Sequence, residues 1–280
     1  MTMTAAEPGA RIGRIVYLAA CALVFTFLIA PILVIVPLSF NAEPYFTFTE
    51  GMLRLDPDAW SLRWYRQIVT DDAWRRALGN SLLIGVASTA LATVLGTLAA
   101  LGLSSPAMPA RRLTMGLLIS PMVTPLIISA TGMFFFYSTL GLSQTHLGLI
   151  LAHAALGTPF VVITVTAALS GFDTNLARAA ASLGAAPLVI FRRVQLPLIA
   201  PGVVSGALFA FAASFDEVVV VLFMAGEDQR TLPRQMWAGI REQISPAILA
   251  VATFLIAFAV LLLLTVDWLR RRAAPSAGGG

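Results

Sequence analysis

Charge is what this 280-residue sequence has least of: 11% of its residues are charged, against about 25% in an ordinary soluble domain. Lysine is missing altogether, so all 18 basic residues are arginines, a pattern we read as coding bias and not chemistry. The single cysteine, Cys21, lies inside an apolar run, which excludes a disulfide or a thiolate metal site within the chain. Neither of the two histidines, His146 and His153, has an acidic neighbour in sequence, and there is no Gly-x-x-x-x-Gly-Lys-Ser/Thr phosphate loop. A membrane enzyme would need such a cluster, and any ATP chemistry must belong to another polypeptide. Internal repeats are also lacking, which counts against a secondary transporter built from inverted halves. The net charge of +4 and pI near 10.0 do not indicate nucleic acid, because the arginines are spread between apolar runs and not gathered on one face.

What is abundant is apolar surface: 58% of residues are hydrophobic and the mean hydropathy is +0.86. A bilayer needs such surface exposed, and a spanning helix takes about 20 mainly apolar residues. Six runs qualify: Ile15–Phe40, Asn80–Ser104, Leu113–Leu140, Leu147–Ser170, Pro201–Ala225 and Ile244–Leu269. The expected fold is an all-α membrane protein of about six transmembrane helices. The first run is too long for the core of a cleaved signal peptide, so it reads as a retained helix bent at Pro31 and Pro37. With residues 1–14 as a cytoplasmic tail, the inner segments hold ten arginines, among them Arg111, Arg112 and Arg270–Arg272, and three acids, Glu7, Asp173 and Asp267. The outer segments hold eight arginines and nine acids, Arg241 and Glu242 included. Basic residues in short loops stay inside, so both termini are expected in the cytoplasm, with 15–269 as a single membrane domain and 270–280 as a second tail.

Two connections stand out. The first outer one carries Trp60, Trp64, Tyr65 and Trp74; aromatics of this kind favour the membrane interface, so 61–78 is expected as a surface helix. The inner one runs from Gly171 to Ala200. Asp173, Thr174 and Asn175 are good N-caps, and Gly184 suits the left-handed residue that ends a helix. Between them Leu176, Ala179, Ala180 and Leu183 share one face. Pro187 can open a second short helix, Pro187–Val194, before Leu196-Pro197 and Pro201 redirect the chain. The apolar face of so small a helix must be covered, by the bilayer surface, by its own bundle, or by a groove on a partner.

The stretch Arg178-Ala179-Ala180, Gly184, Val194 and Leu196-Pro197 resembles the EAA loop of bacterial ABC importer permeases. The spacings agree, and the departure is Arg178, where the family pattern has Glu. Phe215-Asp216-Glu217-Val218-Val219, Arg230–Trp237, Ile244-Ser245-Pro246, Trp64-Tyr65 and Asn80-Ser81-Leu82 look like the second membrane subunit of spermidine/putrescine importers. The resemblance implies a complex in the bacterial inner membrane. Its other members are a second permease subunit, a cytoplasmic ATPase dimer that binds ATP and Mg, and a periplasmic substrate-binding protein. No cofactor is implied for this chain. By the same resemblance Leu176, Arg178, Ala179, Ala180, Leu183, Gly184 and Pro197 are the candidate ATPase-docking residues. The outer loops 60–74 and 227–242 are candidate seats for the binding protein.

Asp216 and Glu217 lie in the fifth apolar run, where a carboxylate costs roughly 2.5–3.5 kcal/mol and faces a cavity or a partner. About 100° apart on a helix, they cannot point the same way. One is expected to line a pathway for a cationic amine and the other to brace a neighbouring helix; a purely structural role for both stays open. His146 and His153 are seven apart near one face and read as polar contacts within the bundle, Asn80 and Gln144 as caps at helix ends. The row Phe134–Tyr137 reads as packing, with a cation–π contact to substrate as the alternative. Taken together, these features predict a non-catalytic permease subunit for a polyamine such as putrescine or spermidine. The same architecture carrying 4-aminobutyrate or an opine is the alternative.

Overall fold

The computed structural model describes residues 8–242 and 245–273, with side chains except at 8–12, 241–242, 266 and 268–273. Glu7, Ile244 and the tail from 274 onward lie outside the described residues, as do the side chains of Arg11, Arg241, Glu242 and Arg270–Arg272. In chain order the helices are α1 (Pro8–Leu38), α2 (Glu50–Leu53), α3 (Arg63–Thr70), α4 (Asp72–Ser104), α5 (Arg111–Val123), α6 (Leu126–Thr139) and α7 (His146–Ser170). After them come α8 (Thr174–Ser182), α9 (Pro187–Ile190), α10 (Leu196–Phe215), α11 (Val219–Met224), α12 (Leu232–Glu242) and α13 (Ala247–Ala273). Among the described residues five helical stretches are long and apolar enough to cross a membrane, or six if the pair α5 and α6 counts as one broken span.

The chain divides into two compact units, Met1–Val69 with Gly239–Ala257, and Thr70–Ala238 with Phe258–Gly280. In the first, α1 runs through Pro31 and Pro37 as one helix. Its exit is held by Asn41, fully buried, whose Nδ2 donates to the carbonyls of Tyr45 (3.1 Å) and Thr47 (3.2 Å). The Asn41 Oδ1 accepts from the Glu43 amide and its carbonyl from Trp64 Nε1 at 2.8 Å. Trp64 is therefore buried under Arg63, whose guanidinium lies 4.0 Å from its ring centroid, and does not serve as an interfacial anchor. The expected surface helix over 61–78 is shorter, ending at Thr70. Asp71 is the reason: its Oδ1 accepts from the amides of Ala73 and Trp74 and starts a new helix, α4, that runs on into the span.

The second unit is built on α4, α7 and α10. In lipid no hydrophobic force drives one helix onto another, so association depends on backbones coming close enough for van der Waals contact. Small residues make this possible. Gly202, Gly206, Ala210 and Ser214 recur every four residues along α10. A Cβ added at Gly202 would lie 2.7 Å from Ala168 Cβ, and one at Gly206 2.8 Å from Val161 Cα. Gly157 meets Ala210 and Ala92 in the same seam, and Gly96 meets Val161. A second apolar cluster, with Ala130, Leu149, Val220, Val221 and Met224, joins α6, α7 and α11.

Two expected spans change. The third, Leu113–Leu140, is not one helix: α5 and α6 meet at 101° across Thr124-Pro125. Proline offers no N–H and drives the residue before it to extended backbone, which Thr124 adopts at ψ 135°. The fifth is a 29-residue stretch, Pro187–Phe215, that begins earlier and ends earlier than Pro201–Ala225.

The close α7–α10 contact yields a prediction. Gly206→Leu should destabilise the purified protein by about 1–3 kcal/mol, the cost of overpacking, whereas Gly132→Leu, where an added Cβ has nothing within 4 Å, should not. Thermal unfolding of both variants in detergent measures the difference.

Candidate functional site

The 171–200 loop forms largely as its local signals dictate. The Asp173 Oδ1 accepts from the Asn175 amide at 2.9 Å and opens α8. Gly184, at φ +83°, closes it: the Gly184 amide donates to the Ala181 carbonyl and the Ala185 amide to the Ala180 carbonyl. Leu176, Arg178, Ala179, Ala180, Leu183 and Gly184 thus share one short helix and its cap. Leu176 is 47% exposed and Leu183 88% exposed, so its own bundle does not cover them.

Pro197 is not part of that element. The expected second helix, Pro187–Val194, does not end before Leu196-Pro197; α9 passes through a wide π-helical turn, Phe191–Gln195, straight into α10. Proline at 197 cannot donate to a carbonyl one turn back, and its ring needs room there. The wide turn supplies the room, with the Leu196 amide reaching back to the Phe191 carbonyl. Leu196-Pro197 and Pro201 are therefore carried within a helix and do not redirect the chain.

Asp216 and Glu217 fall where α10 stops, not in the middle of a span. Asp216 is the C-terminal cap and is exposed. Glu217 is buried, and its Oε1 accepts from the Val220 amide at 2.7 Å, which caps the short α11 after the break. The carboxyl oxygen thereby supplies an amide at a helix start with the bond that the interrupted ladder cannot give. Glu217 braces its own chain here and not a neighbouring helix. Phe134 and Tyr137 pack on the α6–α11 cluster, while Phe135 and Phe136 are more than half exposed. Phe215, the residue before Asp216 in the chain, joins an aromatic group that the sequence did not single out. The Phe215 ring lies 5.4 Å from Phe211 and 5.2 Å from Phe258.

Two polar networks hold the bundle around this break. His153, 2% exposed, places Nδ1 at 2.8 Å from Ser214 Oγ, which lies 3.0 Å from Ser88 Oγ, which donates to the Gly85 carbonyl. These contacts form one continuous hydrogen-bonded chain from α7 through α10 to α4. The partners Ser88 and Ser214 gave no sequence signal beyond being small residues in apolar helices. The second network corrects a reading. Asn80 is inside α4, not at a helix end. Its Nδ2 donates to the carbonyls of Asp228 (2.7 Å) and Arg230 (2.9 Å), and its Oδ1 accepts from His146 Nε2 at 3.0 Å. With Ser81 Oγ accepting from the Leu232 amide and the Gln144 amide donating to the Met224 carbonyl, the 225–232 loop is fastened to α4 and to the start of α7.

This arrangement, a helical bundle with a broken span and a short capped helix projecting from one loop, matches known transport proteins. The family model described as "Binding-protein-dependent transport system inner membrane component" matches residues 92–277, more than half of the chain. The chain belongs to that family. It is 30% identical over 249 residues to the spermidine/putrescine transport system permease protein PotC of Haemophilus influenzae, covering 89% of this chain and 94% of the relative. It is 33% identical over 241 residues to the putrescine transport system permease protein PotI of Escherichia coli, covering 83% and 82%. The trehalose transport system permease protein SugB of Mycobacterium tuberculosis is 33% identical over 200 residues, 71% of this chain and 72% of the relative. The crystal structure of a bacterial ABC transporter involved in the import of alginate has a chain of the same fold, with a TM-score of 0.73 at 16% identity, covering 95% of this chain and 99% of that one. The protein is an ABC importer permease, and the relatives it matches are permease proteins of transport systems.

The capping role of Glu217 separates two substitutions in this permease. Glu217→Gln keeps an Oε1 acceptor for the Val220 amide and should leave thermal stability unchanged. Glu217→Ala removes it and should cost about 1 kcal/mol, the usual worth of a helix cap. Paired melting curves in detergent check the contrast.

Proposed function

We propose that this permease forms one half of the translocation pathway of an ATP-driven importer in the bacterial inner membrane, with a small cationic amine such as putrescine or spermidine as cargo. The observation that carries the importer mechanism is α8: a short, doubly capped helix with Leu176 and Leu183 uncovered. Such a helix fits a groove on a cytoplasmic ATPase subunit, which binds ATP and Mg. Closure of the ATPase dimer would push α8, and the push would pass along the Pro187–Phe215 stretch to the break at Asp216. A second permease subunit would complete the cavity, and a periplasmic substrate-binding protein would deliver cargo to the loops around 60–74 and 227–242. Both termini are then cytoplasmic, as the arginine distribution favours.

The cationic cargo is supported by the two polyamine relatives and by Asp216, an exposed carboxylate at a break in an apolar helix and next to Phe215. An exposed carboxylate at a break in an apolar helix is a charge that an alkylammonium group recognises. The trehalose relative favours a second reading, a neutral solute carried by the same architecture.

Uptake of labelled putrescine, spermidine, 4-aminobutyrate and trehalose into cells with and without this chain decides between them. Loss of polyamine uptake alone is expected, and Asp216→Asn should lower it on the order of tenfold, the equivalent of about 1.4 kcal/mol. Loss of trehalose or 4-aminobutyrate uptake alone would remove the polyamine assignment. In the reconstituted importer, Leu183→Asp should abolish coupled ATP hydrolysis and transport while the chain still inserts; normal transport by that variant would defeat the docking role of α8.

A further inference from the structure

The outward side of α8 keeps Leu176, Ala179 and Leu183 of the expected apolar face and turns only Ala180 of that face inward. Ala177 and Ala180 are half-buried, because α8 packs on α9 and on the 191–195 turn. Asn175, Arg178, Ala179 and Ser182 are exposed. Their spacing of i, i+3, i+4 and i+7 makes one continuous stripe, flanked by the free side chains of Leu176 and Leu183. Arg178 therefore sits in the middle of the free stripe. Docking that covers Leu176 and Leu183 covers its guanidinium as well.

Among the described residues that guanidinium meets no counter-charge. Arg178 has no ion pair or hydrogen bond among the described residues, and the acid nearest in sequence, Asp173, uses its Oδ1 to cap α8. The other charges of the loop, Arg192 and Arg193, are also cations and also exposed. A desolvated guanidinium left without a carboxylate destabilises an interface strongly, whereas a planar fork met by a carboxylate makes two parallel charge-assisted bonds.

We propose that the groove receiving α8 on the ATPase subunit presents a carboxylate to Arg178, and that this charge pair selects which ATPase the permease accepts. This rests on the docking role of α8 proposed above and adds the chemistry of the partner. The family resemblance has Glu at this position, so a groove built around a Glu would meet Arg178 with a charge of the wrong sign. Like-charge juxtaposition is how related interfaces reject wrong partners.

The test uses the pair of permease subunits in nanodiscs of zwitterionic lipid, with binding of their own purified ATPase subunit as the readout. Arg178→Glu should weaken binding by about tenfold or more, with the wild-type affinity falling as salt rises. A photo-crosslinker at position 182 identifies the facing carboxylate, and replacing that carboxylate by Arg should restore binding to Arg178→Glu. Leu183→Asp is run alongside. If Leu183→Asp abolishes binding and Arg178→Glu binds like wild type, the charge pair is wrong and the docking reading stands. If neither variant changes binding, the docking reading falls and the pair with it. An Arg178→Glu defect that appears only when anionic lipid is added would assign Arg178 to lipid headgroups and overturn the proposal.

Discussion

In hydrocarbon no water is available to a backbone amide, so each must find its partner inside the protein. That requirement makes nearly every described stretch of this chain helical, and it leaves the helices with little to draw them together except contact. The α4–α7–α10 seam answers with absence of side chain. Gly96, Gly157, Gly202 and Gly206 are placed where a Cβ would strike the opposing helix. The apolar bulk that dominates the composition is turned outward, as the exposure of Leu82, Val86, Val94 and Leu98 on α4 shows.

Where the helical ladder is interrupted, side chains take over the work of the backbone. At 216–218 the Glu217 carboxylate supplies the Val220 amide. At the 225–232 loop the Asn80 amide serves two carbonyls and one imidazole at once. The break between α5 and α6 falls at Thr124-Pro125, where proline makes continuation costly. Interruptions of this kind persist in a membrane only where they line a cavity or are buried in protein. An exposed Asp216 at such a point is better placed to meet a solute than a carboxylate in mid-helix would be.

The 173–184 segment obeys a different economy. It lies outside the packed seam, so local chemistry builds it: an Asp cap, a run of alanines, a left-handed glycine. The result is a rigid element whose outward surface the chain itself does not use. Arg178 on that surface is the clearest departure from the family pattern, and on the docking proposed above it would bear on partner choice.

Much was legible from residues alone. The membrane class, the helical fold, the capped helix over 174–182 and the family follow from composition, hydrophobic run length, cap residues and motif spacing, all of which act over a few turns of chain. Other features were decided only by tertiary structure. The period of a short alanine helix does not say which side packs, because alanine fits either way; contact with α9 and the 191–195 turn turned Ala177 and Ala180 inward. Hydropathy placed Asp216 and Glu217 in mid-span, yet the helix ends there and Glu217 caps the next one. The partners of His153 and Asn80 lie 61 to 150 residues away along the chain, a separation that no local pattern encodes. Periodicity reports what a residue can do within its own helix, and packing decides which of those possibilities is used.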